Sequence, residues 1–368
     1  MKKLLCILHR SPPMHGAAKV GDFIEASEKL KSNYDCKFIT IKSSDSIADI
    51  GNLSFKKIYY IIELYFKVFI ALLLFRPDKI YFTASVKGLA FYRDLLLSSL
   101  WKLYHLMTAV DIYYHYHTKG VDEFVSSCDR NLKLTNYFLK GANLILLTPM
   151  LKSDFDKTDS FNNIFFLPNG VGNPFDDTEF ETFLQDKFSK TRGLNFLYLS
   201  NMIKSKGYNH VLELAKTMKS QPVQFHFAGG WQSQKEEELF TDFIDENNLS
   251  ANVVFHGFVN GSEKEELLRL ADLLIFPTRY KSESFGLVII EAFSYGVPVL
   301  ATDEGSIPYI IDNKCGVIID NTDKLFGGLE QAKSNLLNKE TAEYCRQRYL
   351  NNFSLEQFEI NLVEVFNN

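Results

Sequence analysis

The chain has 368 residues, of which 46% are hydrophobic and 23% charged, which is typical of a globular protein with two domains. Its net charge of −5 gives no overall electrostatic reason to expect nucleic-acid binding. The five cysteines are scattered, without a CxxC pair or a cysteine–histidine cluster. They therefore indicate a reducing cytoplasm rather than a disulfide framework or a structural zinc site.

The first half of the chain alternates strand and helix patterns. The N-terminus has only a short apolar run, Leu4–Leu8, and no small-residue cleavage site, so it is interpreted as a buried strand and not as a signal peptide. This alternation predicts a parallel sheet covered by helices on both faces. The predicted strands are Lys3–Leu8, Cys36–Ile41, Lys79–Thr83, Asp111–His115, Asn143–Thr148 and Ile164–Leu167, and the predicted helices include Ala18–Lys31, Lys56–Phe75 and Lys87–Leu106.

The run Tyr59–Phe75 is strongly apolar but is interrupted by Glu63 and Lys67. It is short for a membrane-spanning helix, so the first interpretation is a core helix that packs on the sheet. The alternative is a helix that also touches a membrane surface. Basic residues crowd this part of the chain and would face anionic lipid: Lys56, Lys57, Lys67, Arg76, Lys79, Lys87, Arg93 and Lys102.

The segment Pro168–Arg192 interrupts the alternation and is predicted to hold the domain boundary. After it the same pattern restarts, which predicts a second doubly wound domain whose ligands bind beyond the carboxyl ends of the strands. Its predicted strands are Asn195–Ser200, Val223–Ala228, Asn252–Phe255, Leu273–Pro277 and Val297–Thr302, with helices at Gly207–Lys219, Gln234–Asn248, Ser262–Leu270 and Gly286–Ser294. The tail Ser354–Phe366 is predicted to form a last helix with a Ser-x-x-Gln capping box.

Residues 276–308 carry the most informative motif. Glu283 precedes Ser284-Phe285-Gly286-Leu287, and Glu291 follows one to two turns inside the predicted helix. A helix that opens near Gly286 presents unpaired amides and a positive dipole end to an anion, and a glycine there lets the anion approach closely. A ligand whose phosphates bind at the helix start and whose hydroxyl groups donate hydrogen bonds to two carboxylates has the chemistry of a nucleotide sugar.

This motif resembles the donor site of the retaining glycosyltransferases of family 4, which have the GT-B fold. The resemblance implies that Glu283 contacts the transferred sugar, that Glu291 binds the ribose, and that the backbone of Ser284, Phe285, Gly286 and Leu287 holds the diphosphate. It also implies two Rossmann-like domains that face each other across a cleft. The domains are then residues 1–175 on the acceptor side, 176–352 on the donor side, and a helix, 353–368, that crosses back to the first domain.

Further positions resemble the same family. Lys206 matches a lysine that binds the diphosphate, whereas Asn201 stands where the family usually has an arginine, which puts the two-cation clamp in doubt. Gly16 matches a glycine beside the diphosphate, and His117 matches a histidine near the sugar, with His115 as the competing register. The other expected donor-binding residues are Gly229, Gly230, Gly257 and Phe258.

No metal site is predicted. Asp154-Phe155-Asp156 is an Asp-x-Asp triplet, but it lies in a polar stretch and is interpreted as a solvated face. The P-loop, hydrolase-elbow and zincin motifs do not occur in the chain.

The resemblance implies a metal-independent enzyme of cell-envelope polysaccharide biosynthesis that needs no cofactor. It would move a sugar from a nucleoside diphosphate, expected to be uridine diphosphate, to a glycan or polyprenyl-linked acceptor with retained configuration. The expected location is the cytoplasm, with peripheral contact to the inner face of the membrane and no nucleic-acid partner. Two alternatives stay open: a non-hydrolysing nucleotide-sugar epimerase of the same fold, and a non-catalytic nucleotide-sugar-binding protein.

Overall fold

The computed structural model describes residues 1–12, 16–42, 55–189 and 192–367, with only the backbone described at 55–57. The chain divides into two compact units. Unit 1 contains Met1–Gly170 and Leu355–Asn368, and unit 2 contains Val171–Ser354. The sequence placed this boundary after residue 175 and assigned residues 353–368 to a returning helix; in the structure the chain divides after Gly170, and the last segment belongs to unit 1.

Unit 1 is built on a six-stranded parallel sheet in the order β2-β1-β3-β4-β5-β6. The strands are β1 (Lys2–Leu8), β2 (Tyr34–Thr40), β3 (Lys79–Ala84), β4 (Asp111–Tyr116), β5 (Asn143–Leu146) and β6 (Ile164–Phe166). The helices are α1 (Gly16–Ala26), α2 (Glu28–Asn33), α3 (Phe55–Leu74), α4 (Gly88–Met107), α5 (Val121–Ser126) and α6 (Asp129–Leu139).

Unit 2 repeats the plan with the parallel order β12-β11-β10-β7-β8-β9. Its strands are β7 (Leu194–Leu199), β8 (Val223–Ala228), β9 (Val253–Phe255), β10 (Leu273–Phe276), β11 (Val299–Thr302) and β12 (Gly316–Ile319). Its helices are α7 (Asp177–Ser189), α8 (Tyr208–Thr217), α9 (Gln234–Glu246), α10 (Gly261–Leu270), α11 (Leu287–Ser294), α12 (Ile307–Ile310), α13 (Leu325–Asn335) and α14 (Lys339–Asn352).

Alternate residues of the strands fill two cores in unit 1. One face of the sheet packs against α3 and α4, with Phe82, Trp101 and Tyr114 among the buried residues. The other face packs against α15 (Leu355–Asn367), whose Phe366 contacts Tyr113 in edge-to-face geometry at 5.1 Å between ring centroids. The last helix is therefore part of the first core, which it completes through buried aromatic contacts.

The structure confirms the two doubly wound parallel sheets predicted from the sequence. One predicted helix was wrong: Ala18–Lys31 forms two helices because Ser27 caps the second, its Oγ accepting the amide of Leu30 at 3.1 Å. The sequence also missed the segment from β12 through α14. Among the described residues no helix is long and apolar enough to cross a membrane.

Candidate active site

The donor-side residues predicted for unit 2 lie in loops that follow the carboxyl ends of β7, β8, β9 and β10, or at the start of the next helix. In an open parallel sheet this edge is where ligands bind. The strand order places β10, β7, β8 and β9 side by side, so the four loops are neighbours.

Lys206 and Glu283 come together although 77 residues separate them. The Nζ of Lys206 lies 3.2 Å from Oε2 of Glu283, and the two side chains are 18% and 12% exposed. The same ammonium group lies 5.3 Å from the ring centroid of Tyr280. A cation and a carboxylate therefore lie together at the carboxyl edge of the sheet, next to an aromatic ring that limits their contact with water.

Two backbone contacts bring these loops together. Gly207 has φ +87°, and a Cβ on it would lie 2.5 Å from the carbonyl oxygen of Pro277. Next to it, the amide of Arg279 donates to the carbonyl of Ser205 at 2.7 Å. Because only glycine allows both the positive φ and the close approach, Gly207 sets the distance between Lys206 and the Glu283 loop.

The loop after β11 supports Glu283 from the other side, which the sequence did not predict. A Cβ on Gly305 would lie 2.3 Å from the carbonyl oxygen of Glu283. The amide of Ser306 donates to the carbonyl of Ser284 at 3.1 Å. The backbone at Glu283 is thus held between two neighbouring loops.

Helix α11 begins directly after the loop that carries Glu283. Gly286, its N-cap residue, adopts φ +78° and ψ 60°, and no side chain caps the helix start. The first turn of a helix presents amides and a partial positive charge, so this end suits an anion. Ser284 is buried, and the Phe285 ring packs on Phe353 at 6.2 Å between centroids. Because these two side chains are buried in the protein, the backbone of Ser284 and Phe285 is the part that can face a ligand.

Glu291 lies in the second turn of α11, and its partner is a residue that the sequence did not single out. Lys264 of α10 places Nζ 2.7 Å from Oε1 of Glu291, with the side chains 26% and 14% exposed. Lys264 stands in an acidic run, Glu263–Glu266, that by itself indicates an ordinary solvated helix face. The pairing is visible only once α10 and α11 have packed.

The glycine turns lie close together after β7, β8 and β9. A Cβ on Gly229 would lie 1.8 Å from the carbonyl oxygen of Ser200, and the Gly229 amide donates to the Gly257 carbonyl at 2.8 Å. Gly230 lies near the ring of Phe258, which is 65% exposed. Asn201 is exposed beside them. Together these residues form a shallow surface with one aromatic face, suited to a flat base.

Two histidines lie close to these turns in sequence, His226 in β8 and His256 directly after β9. Nδ1 of His226 lies 3.0 Å from Nε2 of His256, and Nε2 of His226 lies 3.0 Å from Oδ1 of Asn195. Because the amide oxygen can only accept, His226 is protonated on Nε2 and His256 donates to its Nδ1. Burial, with a smaller contribution from His256, lowers the pKa of His226 to about 4, and burial lowers the pKa of His256.

In unit 1, His115 and His117 lie on one face of β4 and its extension, with ring centroids 3.9 Å apart. His115 is fully buried, and its Nδ1 is 2.7 Å from the hydroxyl of Tyr81. Burial and the neighbouring His117 lower the pKa of His115 well below its usual value. His117 is half-buried just beyond the strand, so of the two registers it is the one nearer solvent. Gly16 is exposed at the start of α1.

The Asp-x-Asp triplet is only partly solvated, which corrects the sequence interpretation for Asp154, whereas Asp156 is exposed. Asp154 accepts the amides of Gly120, Val121 and Asp122 at 2.9, 2.9 and 3.0 Å. It therefore caps the start of α5. Within the described part of the chain no group of three or more metal-ligating side chains occurs.

Comparison with protein families gives a match over residues 179–348 to the model described as glycosyl transferases group 1. A Klebsiella pneumoniae protein described as "Uncharacterized 41.2 kDa protein in cps region" is 28% identical over 176 residues, covering 47% of this chain and 46% of that protein. The chain spans less than half the length of the curated relatives that it matches first.

Solved structures resemble the whole chain. Anabaena Alr3699/HepE, crystallised with UDP and glucose, has a TM-score of 0.69 at 14% identity, and the match covers 100% of both chains. WaaG, a glycosyltransferase involved in lipopolysaccharide biosynthesis, has a TM-score of 0.65 at 18% identity, covering 98% of this chain and 99% of WaaG. At this level of identity the likeness establishes the fold, which is of the GT-B type.

Proposed function

We propose that this chain is a retaining glycosyltransferase of family 4, because residues 179–348 match the glycosyl transferases group 1 model and the fold is of the GT-B type. It moves a sugar from a nucleoside-diphosphate sugar to a glycan or polyprenyl-linked acceptor, in cell-envelope polysaccharide synthesis at the cytoplasmic face of the membrane. Uridine diphosphate is the expected nucleotide, since UDP is bound in the HepE neighbour. The comparisons give no support to an epimerase.

The observation that carries this proposal is the Lys206–Glu283 pair beside the start of α11. The pair places one cation and one carboxylate within reach of a single ligand that bears both phosphates and hydroxyls. Lys206 and the amides around Ser284–Leu287 stabilise the charge that grows on the departing diphosphate. Glu283 accepts hydrogen bonds from the sugar hydroxyls.

The remaining proposed donor contacts use groups that the structure brings to the same edge of the sheet. Glu291, held by Lys264, accepts the ribose hydroxyls. Gly229, Gly230 and Gly257 let backbone approach the donor, and the exposed ring of Phe258 lies against the base. Asn201 is exposed and can donate to a phosphate without adding charge, so Lys206 carries most of the neutralisation.

In the proposed step the acceptor hydroxyl oxygen attacks the anomeric carbon on the face from which the diphosphate leaves. The bond between that carbon and the phosphate oxygen breaks, and the hydroxyl proton passes to the departing phosphate oxygen. The protein contributes placement and electrostatics, and needs neither a nucleophile nor a metal. His117 and Gly16 are the proposed contributions of unit 1, with His117 donating a hydrogen bond to the sugar.

A thermal-shift panel tests the donor class. Uridine, guanosine and adenosine diphosphates and their sugars are compared, and one nucleotide series is expected to raise the melting temperature clearly, with UDP first. The Glu283→Ala variant should keep the shift from the nucleotide alone and lose the extra shift from the sugar. A protein that no nucleotide sugar stabilises would overturn the proposal. Measurement of the anomeric configuration of the product by NMR tests retention.

A further inference from the structure

Helices α3 and α4 of unit 1 carry apolar side chains on their outward faces as well as on their inward ones. The exposed side chains recur every three or four residues along each helix, and several are more than half exposed, including Leu74 at 76% and Leu106 at 81%. On α3 they are Ile58, Tyr59, Ile62, Phe66, Phe69, Ile70, Leu73 and Leu74, and on α4 they are Leu89, Tyr92, Leu96, Leu103, Leu106 and Met107. We call these fourteen residues the apolar stripe.

The stripe lies on one side of unit 1. The inward residues of both helices, such as Val68 of α3 and Leu97 of α4, belong to the same core over the same face of the sheet. The two helices also contact each other. Their outward faces are therefore adjacent, and a helix that is apolar all round is normally covered on both sides.

Charge is distributed unevenly around the stripe. Residues 55–107 contain eight lysines and arginines against three acidic residues, a net charge of +5 in a chain whose total is −5. Two of the three acids are already paired: Glu63 with Lys67 at 2.5 Å, and the buried Asp94 with Arg93 at 2.7 Å. Lys79 and Arg93 are buried, so they do not contribute to the surface. Among the described charged side chains of this segment that are exposed, cations still outnumber acids: Lys67, Arg76 and Lys87 against Asp78.

A basic cavity of about 490 Å³ adjoins the stripe. Lys67 and Ile70 of α3 line it on one side, and edge strand β2 lines it on the other. Four of the eight lining residues are cations and none is acidic; the eight are Arg10, Lys37, Phe38, Ile39, Thr40, Lys42, Lys67 and Ile70. Two of these cations already pair with carboxylates, Arg10 with Glu25 and Lys67 with Glu63, so a bound phosphate would share them with these acids. A predominantly basic lining of this kind suits a phosphate-bearing group.

We propose that unit 1 docks on an anionic phospholipid bilayer, with the apolar stripe of α3 and α4 in the interfacial region and a lipid phosphate in the cavity lined by Arg10, Lys37, Lys42 and Lys67. In this arrangement α3 and α4 lie in the plane of the membrane surface, and neither of these described helices is long and apolar enough to span the bilayer. This inference deepens the proposed function, on which its purpose rests, by naming the surface that meets the membrane of a lipid-linked acceptor.

Charge complementarity favours the bilayer over a second copy of the chain. Two copies that joined through this face would bring two positive surroundings together, and like charges in contact oppose association. An anionic bilayer offers apolar depth for the leucines and phenylalanines and negative charge for the lysines. Tyr59 and Tyr92 suit the boundary between the two.

Vesicle cosedimentation tests the proposal. The wild-type protein is mixed at low salt with vesicles of phosphatidylcholine alone or of equimolar phosphatidylcholine and phosphatidylglycerol. Binding is expected to the anionic vesicles, at least tenfold stronger than to neutral ones, and to weaken as salt is raised. Equal binding to both vesicle types, or to neither, would overturn the proposal.

Two variants separate the contributions. Leu103→Glu with Leu106→Glu places charge in the stripe at exposed positions, and should lower vesicle binding at least tenfold. Lys42→Glu with Lys67→Glu reverses two cavity cations and should lower binding to anionic vesicles by about fivefold or more per lysine, since each basic residue near the surface adds about that factor. Matched controls in unit 2, Leu239→Glu and Lys235→Glu on the exposed face of α9, should bind as wild type.

Circular dichroism melts establish first that all variants fold, so that each change in vesicle binding either supports or overturns the proposal. If Leu103→Glu with Leu106→Glu instead converts a dimer to a monomer in solution while vesicle binding stays unchanged, the stripe is an interface between copies and the proposal is wrong. The Glu283→Ala variant should bind vesicles as the wild type does, so that loss of sugar transfer and loss of membrane docking are read separately.

Discussion

Lys206 Nζ lies 3.2 Å from Glu283 Oε2, and this contact joins the loop after β7 to the loop after β10. The two residues are far apart in sequence, and each side chain points from its own loop towards the other and is mostly buried. The pair is mostly shielded from water, so its interaction is stronger than that of a surface ion pair. We therefore expect the two residues to behave as one unit in both stability and turnover.

A double-mutant cycle on this pair is the first prediction. Glu283→Ala and Lys206→Ala should each lower kcat by about a hundred- to thousandfold, because each removes a charge that stabilises the transition state. Lys206→Ala should also lower the free energy of unfolding by about 1–2 kcal/mol, because it leaves a mostly buried carboxylate without its cation. The double variant should be more stable than the sum of the single effects predicts, as measured by urea unfolding. Strict additivity in both measurements would contradict the shared role.

Gly229→Ala is the second prediction. The new methyl would lie 1.8 Å from the Ser200 carbonyl oxygen, so the loops after β7 and β8 must separate. We expect a loss of about 2–4 kcal/mol in the free energy of unfolding and weaker donor binding. Gly327→Ala, at an exposed position of helix α13, is the control: nothing lies within 4 Å of its added Cβ, and it should stabilise the fold by about 0.5–1 kcal/mol. Urea unfolding and nucleotide titration measure both effects.

The start of α11 shows what local sequence can predict. Gly286 after a polar loop, followed by an apolar run, predicts the helix start, and the helix begins at Leu287. Ser27 shows the limit of the same reasoning. The run Ala18–Lys31 is helical in pattern throughout, but a serine that caps a new helix divides it.

The contacts between loops could not be predicted in this way. Lys264 looks solvated within its acidic run, and only the folded arrangement of α10 and α11 brings its Nζ to 2.7 Å from Oε1 of Glu291. Gly305 looks like an ordinary turn glycine, whereas the structure shows that a side chain there would collide with the Glu283 backbone. Both facts depend on distances between segments that are far apart in sequence, which propensity and periodicity do not encode.

Lys264→Ala is the third prediction. The substitution removes the cation that holds the Glu291 carboxylate, so the carboxylate is free to turn away from the ribose. We expect KM for the donor to rise about 5- to 50-fold, with kcat little changed, because ribose binding contributes equally to the ground state and the transition state. Initial rates at varied donor concentration measure both constants.

Lys324→Ala is the matched control for Lys264→Ala. Lys324 pairs with Asp320 at 2.8 Å, but both side chains are 64% exposed, so the pair is a solvent-exposed contact of little energetic weight. Its removal should leave KM unchanged. A Lys264→Ala enzyme with wild-type KM, or one whose kcat falls while KM is constant, would show that Glu291 does not depend on Lys264 for its role.

The last prediction concerns acid stability and His226. Its pKa in the folded state is about 4, below the ordinary value of 6.5, so between these pH values the unfolded chain binds more protons than the folded one. Stability from this group is therefore fully present above about pH 6.5 and is lost as the pH falls towards 4. His226→Gln keeps a donor for Asn195 and an acceptor for His256 but cannot titrate. Between about pH 7 and pH 4 the wild type should lose about 2–3 kcal/mol more unfolding free energy than this variant.

Urea unfolding across that pH range measures the difference. The pH dependence of stability that remains in the variant comes from groups such as His115 and His256, whose pKa values are also lowered. Parallel curves for the two proteins would mean that the His226–His256 pair opens to solvent before it is protonated, and that the pair is less rigid than its hydrogen bonds imply.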